Sequence, residues 1–249
     1  MLDFTGIDYA LALCMGLGAA LFTSVGHGGA SAYIALMALF GVAVPVIRPT
    51  ALVMNVLATS FSSVRYARAG LFRWGTLWPF LIGAIPLAFF GGAIQLPGHF
   101  YKPLVGVVLL IAAFRLFMPG EFKSNLDPRD VPVPIGIVCG AGIGFLAGLT
   151  GTGGGIFLSP LLLFMGWSET RTASGVTALF IWCNSISGLL GNLASVKSLP
   201  PQTLLFAVAV LIGAIVGTQL GISTLAKRNI LRALGMVLVI AGVKLIGLY

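Results

Sequence analysis

Two glycine-rich segments are the parts of this chain whose residue types and spacing suggest chemistry. The first, GHGGAS, covers residues 26–31, and the second, GTGGGI, covers residues 151–156, which is 125 positions further along. A helix that begins directly after such a segment presents unpaired N–H groups and a partial positive charge, which suits an anion. Glycine also removes the side chain that would keep a ligand away from this backbone. The two segments therefore predict one anion-binding site to which both halves of the chain contribute.

The candidate site residues lie in these segments and in the apolar helices that follow them. In the segments we expect substrate contacts from Gly26, His27, Gly28, Gly29, Ser31, Gly151, Thr152, Gly153, Gly154 and Gly155. In the following helices we expect them from Asn55, Thr177 and Asn184, because buried hydroxyl and amide groups can serve as neutral ligands for an oxyanion. The alternative is that the glycines only allow close helix packing and the polar groups only join helices within the membrane.

His27 is the only ionisable side chain in either segment, and Thr152 is its counterpart in the second. An ionisable residue inside a membrane is a functional candidate by default. Imidazole ordinarily titrates near pH 6.5, so His27 would bind the anion when protonated or carry a coupled proton. A neutral histidine that is hydrogen-bonded to backbone is the open alternative.

The composition indicates which elements must position these residues. Only 8% of residues are charged, 58% are apolar, and the mean hydropathy is +1.07. Uncharged runs such as 74–101 exceed the about 20 residues that a membrane-spanning helix needs. The net charge of +8 is scattered between apolar runs rather than gathered on one face, which favours a role in membrane orientation over nucleic-acid binding. The sequence predicts an all-α polytopic membrane protein embedded in a lipid bilayer.

The chain is predicted to contain two repeats, 1–118 and 134–249, joined by a linker at 119–133. Besides the glycine segments, GVVLLIAAFRLF at 106–117 matches GMVLVIAGVKLI at 235–246. Each half begins with an uncharged run, 9–47 or 131–168, that would reach about 57 Å as a single helix and must therefore fold back.

We favour a re-entrant helical hairpin with its glycine tip near the membrane midplane over a full hairpin with a tight turn. The returning helices are expected to begin near Ala30 and Ile156. Three further spans are expected in each half, at 50–64, 74–94 and 103–117, and at 172–193, 203–225 and 231–248.

A hairpin plus three crossings is an odd step, so the second repeat is expected to have inverted topology. With both termini outside, the positive-inside rule is satisfied by ten cations against four. The expected cytoplasmic cations are Arg65, Arg68, Arg73, Arg115, Lys123, Arg129, Arg171, Lys227, Arg228 and Arg232. Arg48, Lys102, Lys197 and Lys244 remain outside, and the linker at 119–133 is cytoplasmic. The first ten residues, MLDFTGIDYA, have no basic residue, so we do not expect a cleaved signal peptide.

The chain resembles the TauE/SafE family of bacterial membrane proteins, and both glycine segments carry the resemblance. In 151–161, GTGGGIFLSPL, a glycine triplet is followed shortly by Pro160, whereas the first segment has Gly28-Gly29-Ala30 and no proline at Ala35. The resemblance covers essentially the whole chain. It implies export of sulfite, or an organosulfonate such as sulfoacetate, through the bacterial plasma (inner) membrane without a cofactor. Alternating access, with protons as a coupling ion, is the mechanism that we expect.

Two other classes of function compete with a carrier. Converging glycine loops also suit an anion channel, and composition alone would suit a carrier for another small organic anion. An enzyme would need a nucleophile with a base, or a metal set. Ser31 and His27 are too isolated to form such a site, and no HExxH motif occurs. We therefore expect no enzyme activity and no metal. The sequence carries no expectation about oligomeric state.

Overall fold

The computed structural model describes residues 4–117, 128–193, 199–223 and 228–247, and within these ranges the chain forms ten helices and no strand. The helices of the first half are α1 (Gly6–Thr23), α2 (Ala30–Leu39), α3 (Val44–Arg68), α4 (Trp74–Ala93) and α5 (Gly98–Phe117). Those of the second half are α6 (Val133–Thr150), α7 (Gly155–Phe164), α8 (Thr170–Gly191), α9 (Thr203–Ser223) and α10 (Arg228–Ile246). The all-helical prediction is confirmed for these residues. Most of the linker predicted at 119–133 lies outside them.

Six of these helices are long and apolar enough to cross a membrane: α1, α3, α4, α6, α8 and α9. In contrast, α2 and α7 have ten residues each, which corresponds to about 15 Å. That length is half of the roughly 30 Å hydrocarbon core. In each predicted hairpin the first helix is therefore of spanning length and only the second is short. The re-entrant arrangement with a tip at the midplane stays a prediction.

The two short helices begin where the glycine segments predict. The residues immediately before them, Gly29 and Gly154, have φ angles of 93° and 83°. This left-handed conformation is one that glycine adopts without the penalty other residues incur. The glycines thus fix the two helix starts at Ala30 and Gly155, the second one residue earlier than expected.

Helix α3 begins before the predicted span at 50–64 and runs on to Arg68. Pro45 lies in the first turn of this helix. A proline is compatible with that position because its missing N–H would have no intrahelical partner there. The longer helix brings Arg48 and Pro49 into the helix and buries both.

The helices of the two halves pack in exchanged pairs. α1 packs against α9 and α6 against α4, while α3 packs against α8 and α5 against α10. The counterparts in the two halves are α1 and α6, α3 and α8, α4 and α9, and α5 and α10. The pair α1–α9 therefore corresponds to the pair α6–α4, while α3–α8 and α5–α10 are each formed by two counterparts. A Cβ atom added to Gly213 of α9 would collide with the carbonyl of Gly16, and one added to Gly140 of α6 would collide with that of Phe80. Glycines outside the two segments thus allow close helix packing, as small residues do in membrane proteins.

The helix ends gather at two opposite faces. On one, which we call the Arg73 face, the Arg73 guanidinium lies 3.5 Å from the Asp130 carboxylate, and the Arg129 N–H donates to the Gly166 carbonyl at 3.0 Å. On the other, the Lys244 face, Lys244 Nζ donates to the carbonyl of Ala38 at 3.2 Å. α4 starts at the Arg73 face, directly after Arg73. α2 ends at the Lys244 face, where the Leu39 carbonyl accepts from Lys244, and α7 ends two residues before Gly166 at the Arg73 face.

Candidate functional site

The N-terminus of α2 is closed by an asparagine of the neighbouring helix α3. Asn55 is fully buried, and its Oδ1 accepts a hydrogen bond of 3.1 Å from the Ala30 N–H. The segment lies so close that a Cβ atom added to Gly28 would collide with the Asn55 amide and would lie 2.7 Å from Thr59 Cγ2. The first helix N-terminus therefore already has a neutral acceptor supplied by the protein.

Asn55 also joins this segment to the second half of the chain. Its Nδ2 donates to Ser185 Oγ on α8 at 3.2 Å. A Cβ atom added to Gly153 would collide with the same Nδ2 and would lie 3.0 Å from Ser185 Oγ. The two glycine segments, distant in sequence, thus contact the same asparagine side chain. Four of the predicted site residues, Gly28, Gly29, Asn55 and Gly153, are brought together here.

The N-terminus of α7 differs: within the described residues no side chain accepts a hydrogen bond from its first N–H groups, as Asn55 does at α2, and we call this helix start uncapped. The neighbouring position on α8 is Ile181, whose Cδ1 would collide with a Cβ atom on Gly155. Thr177 lies one turn away on the same helix, with its Cγ2 3.0 Å from that Cβ position. Helix α7 therefore starts with uncapped N–H groups beside a threonine and an isoleucine.

Two predicted site residues of α8 have buried polar atoms with no partner in the part of the chain that the structure describes. Thr177 is fully buried and Asn184 is 1% exposed. The Thr177 hydroxyl and both amide atoms of Asn184 make no hydrogen bond there. Because buried polar groups in native proteins are almost always paired, such groups indicate a place where water or a ligand completes the hydrogen bonding.

The remaining predicted site residues lie around this centre rather than at it. Gly26 abuts the backbone of Ser174 at the start of α8, and Gly151 abuts Arg48 of α3. The Thr152 hydroxyl lies 2.9 Å from that of Thr150. Gly154 precedes α7, and Ser31 is buried in the first turn of α2. The assignment of these residues to substrate binding stays a prediction.

His27 is half-buried and turned toward its own segment. Its Nδ1 lies 3.1 Å from the Val25 carbonyl oxygen, and its ring packs edge-on against Phe22, with 6.2 Å between centroids. This contact fits one of the two alternatives that the sequence left open, a histidine hydrogen-bonded to backbone. The other ring nitrogen, Nε2, does not take part in the contact with Val25.

Sequence reasoning missed Arg48, which it treated as one of the outer cations. The side chain is only 7% exposed, and its guanidinium donates to the carbonyls of Ile94 at 2.8 Å and Gly91 at 2.9 Å, and also to that of Gly92. A single cation between Pro45 and Pro49, at the end of a long uncharged run, was the signal in the sequence that could have identified it.

Long apolar helices, a buried polar centre and helix termini that converge on it define a multi-pass helical membrane protein. The profile of the family described as "Sulfite exporter TauE/SafE" matches residues 10–245. The chain belongs to this family, and it is a membrane transporter.

Two curated relatives agree with this assignment. The chain is 33% identical over 239 residues to "Probable membrane transporter protein y4hK" of Sinorhizobium fredii, a match that covers 95% of this chain and 97% of the relative. It is 27% identical over 149 residues to "Probable membrane transporter protein MJ0441" of Methanocaldococcus jannaschii, covering 59% and 55% of the two chains. No solved structure matches the chain.

Proposed function

We propose that this transporter is a carrier that exports a small sulfur-containing anion, sulfite or an organosulfonate such as sulfoacetate, through the bacterial plasma membrane. The family description supports the substrate class. The buried centre supports an anion, since it offers uncapped N–H groups of α7, the Thr177 hydroxyl and the Asn184 amide. Each of these can donate a hydrogen bond to an oxyanion oxygen.

The observation that carries this proposal is the set of buried polar groups of α8 without a partner among the described residues, of which Thr177 lies beside the uncapped start of α7. In hydrocarbon, an unsatisfied donor costs several kcal/mol, about as much as a substrate hydrogen bond would return. A sulfite or sulfonate group has three oxygens and a negative charge, which match several donors and the positive end of a helix. A cofactor or metal is not required for this binding.

Alternating access is the mechanism that the exchanged helix pairs favour. In the proposed arrangement the two halves are inverted repeats, and the Arg73 face, with most of the cations, is cytoplasmic. Both termini are then outside. Helices α2 and α7 enter from opposite faces as the short arms of two re-entrant hairpins. The N-terminus of α7 is presented to the substrate, whereas that of α2 is bonded to Asn55 beside it. Rocking of one set of paired helices against the other would expose that substrate to each face in turn.

Proton coupling through His27 completes the proposal, since this side chain lies in the segment that precedes α2 and imidazole ordinarily titrates in the physiological range. Coupling would link sulfonate export to the proton gradient across the membrane. The contacts with Val25 and Phe22 hold the ring against its own segment and the end of α1.

The test is a binding screen followed by flux measurements on the purified protein. Sulfite, thiosulfate, sulfoacetate and acetate are compared as ligands that raise the melting temperature. A ligand at 100 times its Kd stabilises the folded state by about 2.7 kcal/mol. We expect sulfite or sulfoacetate to stabilise the protein and to be transported with saturable kinetics in proteoliposomes, while acetate does neither. Stabilisation by acetate alone would contradict the substrate class, and unitary currents in a planar bilayer would replace the carrier with a channel.

A further inference from the structure

A partly enclosed cavity of about 260 Å³ lies at the Lys244 face, apart from the buried centre. The start of α3, the segment between α4 and α5, the first turn of α5 and the residue after α8 form its walls. Its polar lining consists of Arg48, Gln95, Tyr101 and Asn192, and its other described lining residues are apolar or glycine. A water molecule takes about 30 Å³ in the liquid, so the volume suits a small hydrated oxyanion.

Arg48 gives this cavity a positive charge that no carboxylate among the described lining residues neutralises. Its terminal nitrogens donate to backbone carbonyls at the end of α4, which are neutral acceptors. Its Nε has no hydrogen-bond partner among the described residues. The carbonyls at a helix C-terminus stabilise a nearby cation and hold the guanidinium in place, but they leave its net charge uncancelled. A buried, unneutralised cation beside a cavity attracts anions.

The same cavity adjoins the second glycine segment. Arg48 Cγ lies 3.1 Å from the position that a Cβ atom of Gly151 would occupy. Tyr101, which also lines the cavity, donates from its hydroxyl to the Thr150 carbonyl at 3.0 Å. The chain then continues through Gly153 to the uncapped start of α7. The cavity therefore lies at the beginning of the segment that leads to the candidate site.

We propose that this cavity is an anion port, a second binding site in which Arg48 receives the oxyanion on its passage between the buried centre and the Lys244 face. The inference rests on the proposed function for the identity of the anion, sulfite or a sulfonate. The carbonyl contacts fix the guanidinium, and the Gln95 and Asn192 amides line the same space, with Gln95 Nε2 donating to Asn192 Oδ1 at 3.5 Å. Arg48 contributes charge, while the α7 terminus supplies the central binding site.

The test compares substitutions that remove the charge with one that cancels it. Arg48→Gln removes the cation, Arg48→Lys keeps it, and Gln95→Glu places a carboxylate in the same cavity while leaving Arg48 unchanged. Gln95 is exposed, so this last variant guards against misfolding of Arg48→Gln. Lys102→Gln is the matched control, because Lys102 is an exposed cation in the first part of α5, at the same face.

We expect Arg48→Gln and Gln95→Glu to raise the KM for sulfite or sulfoacetate in proteoliposomes at least about tenfold, the scale of one charge-assisted hydrogen bond. The kcat should change less than about twofold, Arg48→Lys should restore most of the affinity, and Lys102→Gln should match the unsubstituted protein. A purely structural arginine would instead lower melting temperature and kcat without moving KM.

The outcomes separate the port from the proposed function. An unchanged KM in folded Arg48→Gln and in Gln95→Glu would overturn the port, while transport of sulfite by the same proteins would leave the function standing. If the unsubstituted protein binds sulfite but transports neither anion, and Arg48→Gln and Gln95→Glu weaken that binding, the export function is wrong and the port remains.

Discussion

The two glycine segments share a backbone design but meet different side chains. Helices α3 and α8 start 126 positions apart, at Val44 and Thr170, and the glycine contacts follow the same offset. Gly28 faces Asn55 and Thr59 of α3. Gly153 faces the corresponding residues of α8, Ile181 and Ser185, and in addition Asn55. Both segments have glycines with positive φ at corresponding positions, Gly26 and Gly151 and Gly29 and Gly154, but the groups that would meet a ligand differ. Similar backbone geometry therefore does not mean equivalent chemistry.

The same offset relates the other ends of the two segments. Gly151 abuts Arg48, and Gly26 abuts Ser174, which is the residue that corresponds to Arg48. One segment thus approaches a buried cation and the other the backbone of an uncharged serine. Together with the Asn55 cap, this difference leads us to expect the anion at the second segment. The first segment, with its helix terminus already bonded to Asn55, acts as a support.

The largest effect is expected from a side chain at the second segment, in the variant Gly153→Ala. Gly153 has φ +75°, and its Cβ would collide with Asn55 and lie 2.8 Å from Ile181 Cγ2. Transport per folded molecule should fall by more than about tenfold, since relieving such overpacking costs about 1–3 kcal/mol. The measurement is sulfite flux in proteoliposomes, normalised to folded protein.

Gly166→Ala is the control for this variant because Gly166 has φ +66° and open space around its Cβ position. It should show only the backbone penalty of about 1–2 kcal/mol in the free energy of unfolding, with normal flux. Equal loss of flux in both variants would mean that backbone strain, and not crowding of the site, explains the Gly153→Ala result.

The next largest effect should come from a buried hydroxyl of the second half, in Thr177→Val. Since the hydroxyl has no partner in the described structure, its replacement should leave the free energy of unfolding unchanged or raise it. The Kd for sulfite should nevertheless rise about tenfold or more, because a hydrogen bond to a charged group contributes about 1.5–3 kcal/mol. Calorimetric binding and thermal unfolding of the same preparation check both quantities.

For Thr59→Val in the first half we expect the opposite result, a loss of stability with little change in affinity. The Thr59 hydroxyl donates to the Asn55 carbonyl at 2.6 Å, so its loss should cost about 1 kcal/mol of stability and little affinity. If the two threonine variants behave alike in binding and in stability, the two halves do not differ in the way that we infer.

Much of the helical fold could be predicted from the sequence. Where the prediction failed, the reason is physical. The starts of α2 and α7 followed from glycines, because few other residues adopt the φ angles found at Gly29 and Gly154. The full length of α1 and α6 did not follow, since an uncharged run does not show where it turns. The burial of Arg48 depends on carbonyls 43 to 46 positions away, which no local pattern reveals.

Asn55 and Asn184 illustrate the same limit at the site. Both were predicted to bind substrate because both are amides in apolar helices. In the structure Asn55 is bonded to Ala30 and Ser185, whereas Asn184 lacks a partner among the described residues. Which amide is already occupied depends on the packing of α3 against α8, and residue type alone does not record it.

A smaller effect is expected from installing the first half's cap in the second, in Ile181→Asn. An amide at this position could accept from the start of α7 as Asn55 does from Ala30, and it would then compete with the anion. A helix cap is typically worth about 1 kcal/mol, so the Kd for sulfite should rise about fivefold. Ile181→Val, which removes one methyl group and adds no acceptor, should bind sulfite normally. An equal loss in the two variants would point to packing rather than competition.

The smallest effect concerns pH alone and compares His27 of the first segment with Thr152 of the second. If His27 carries the coupled proton, His27→Gln should abolish the response of transport to an imposed pH gradient between about pH 5.5 and 7.5. The rate without a gradient should change little, since the Nδ1 contact with the Val25 carbonyl is one that the amide of the introduced glutamine can also make. An organosulfonate is the substrate of choice, because the charge of its sulfonate is constant over this range, whereas sulfite changes between a monoanion and a dianion. His99→Gln is the matched control, as His99 is exposed in the first turn of α5 at the Lys244 face and should not alter the response. A gradient response that survives in His27→Gln would remove the proton from the mechanism and leave the two segments differing only in how they hold the anion.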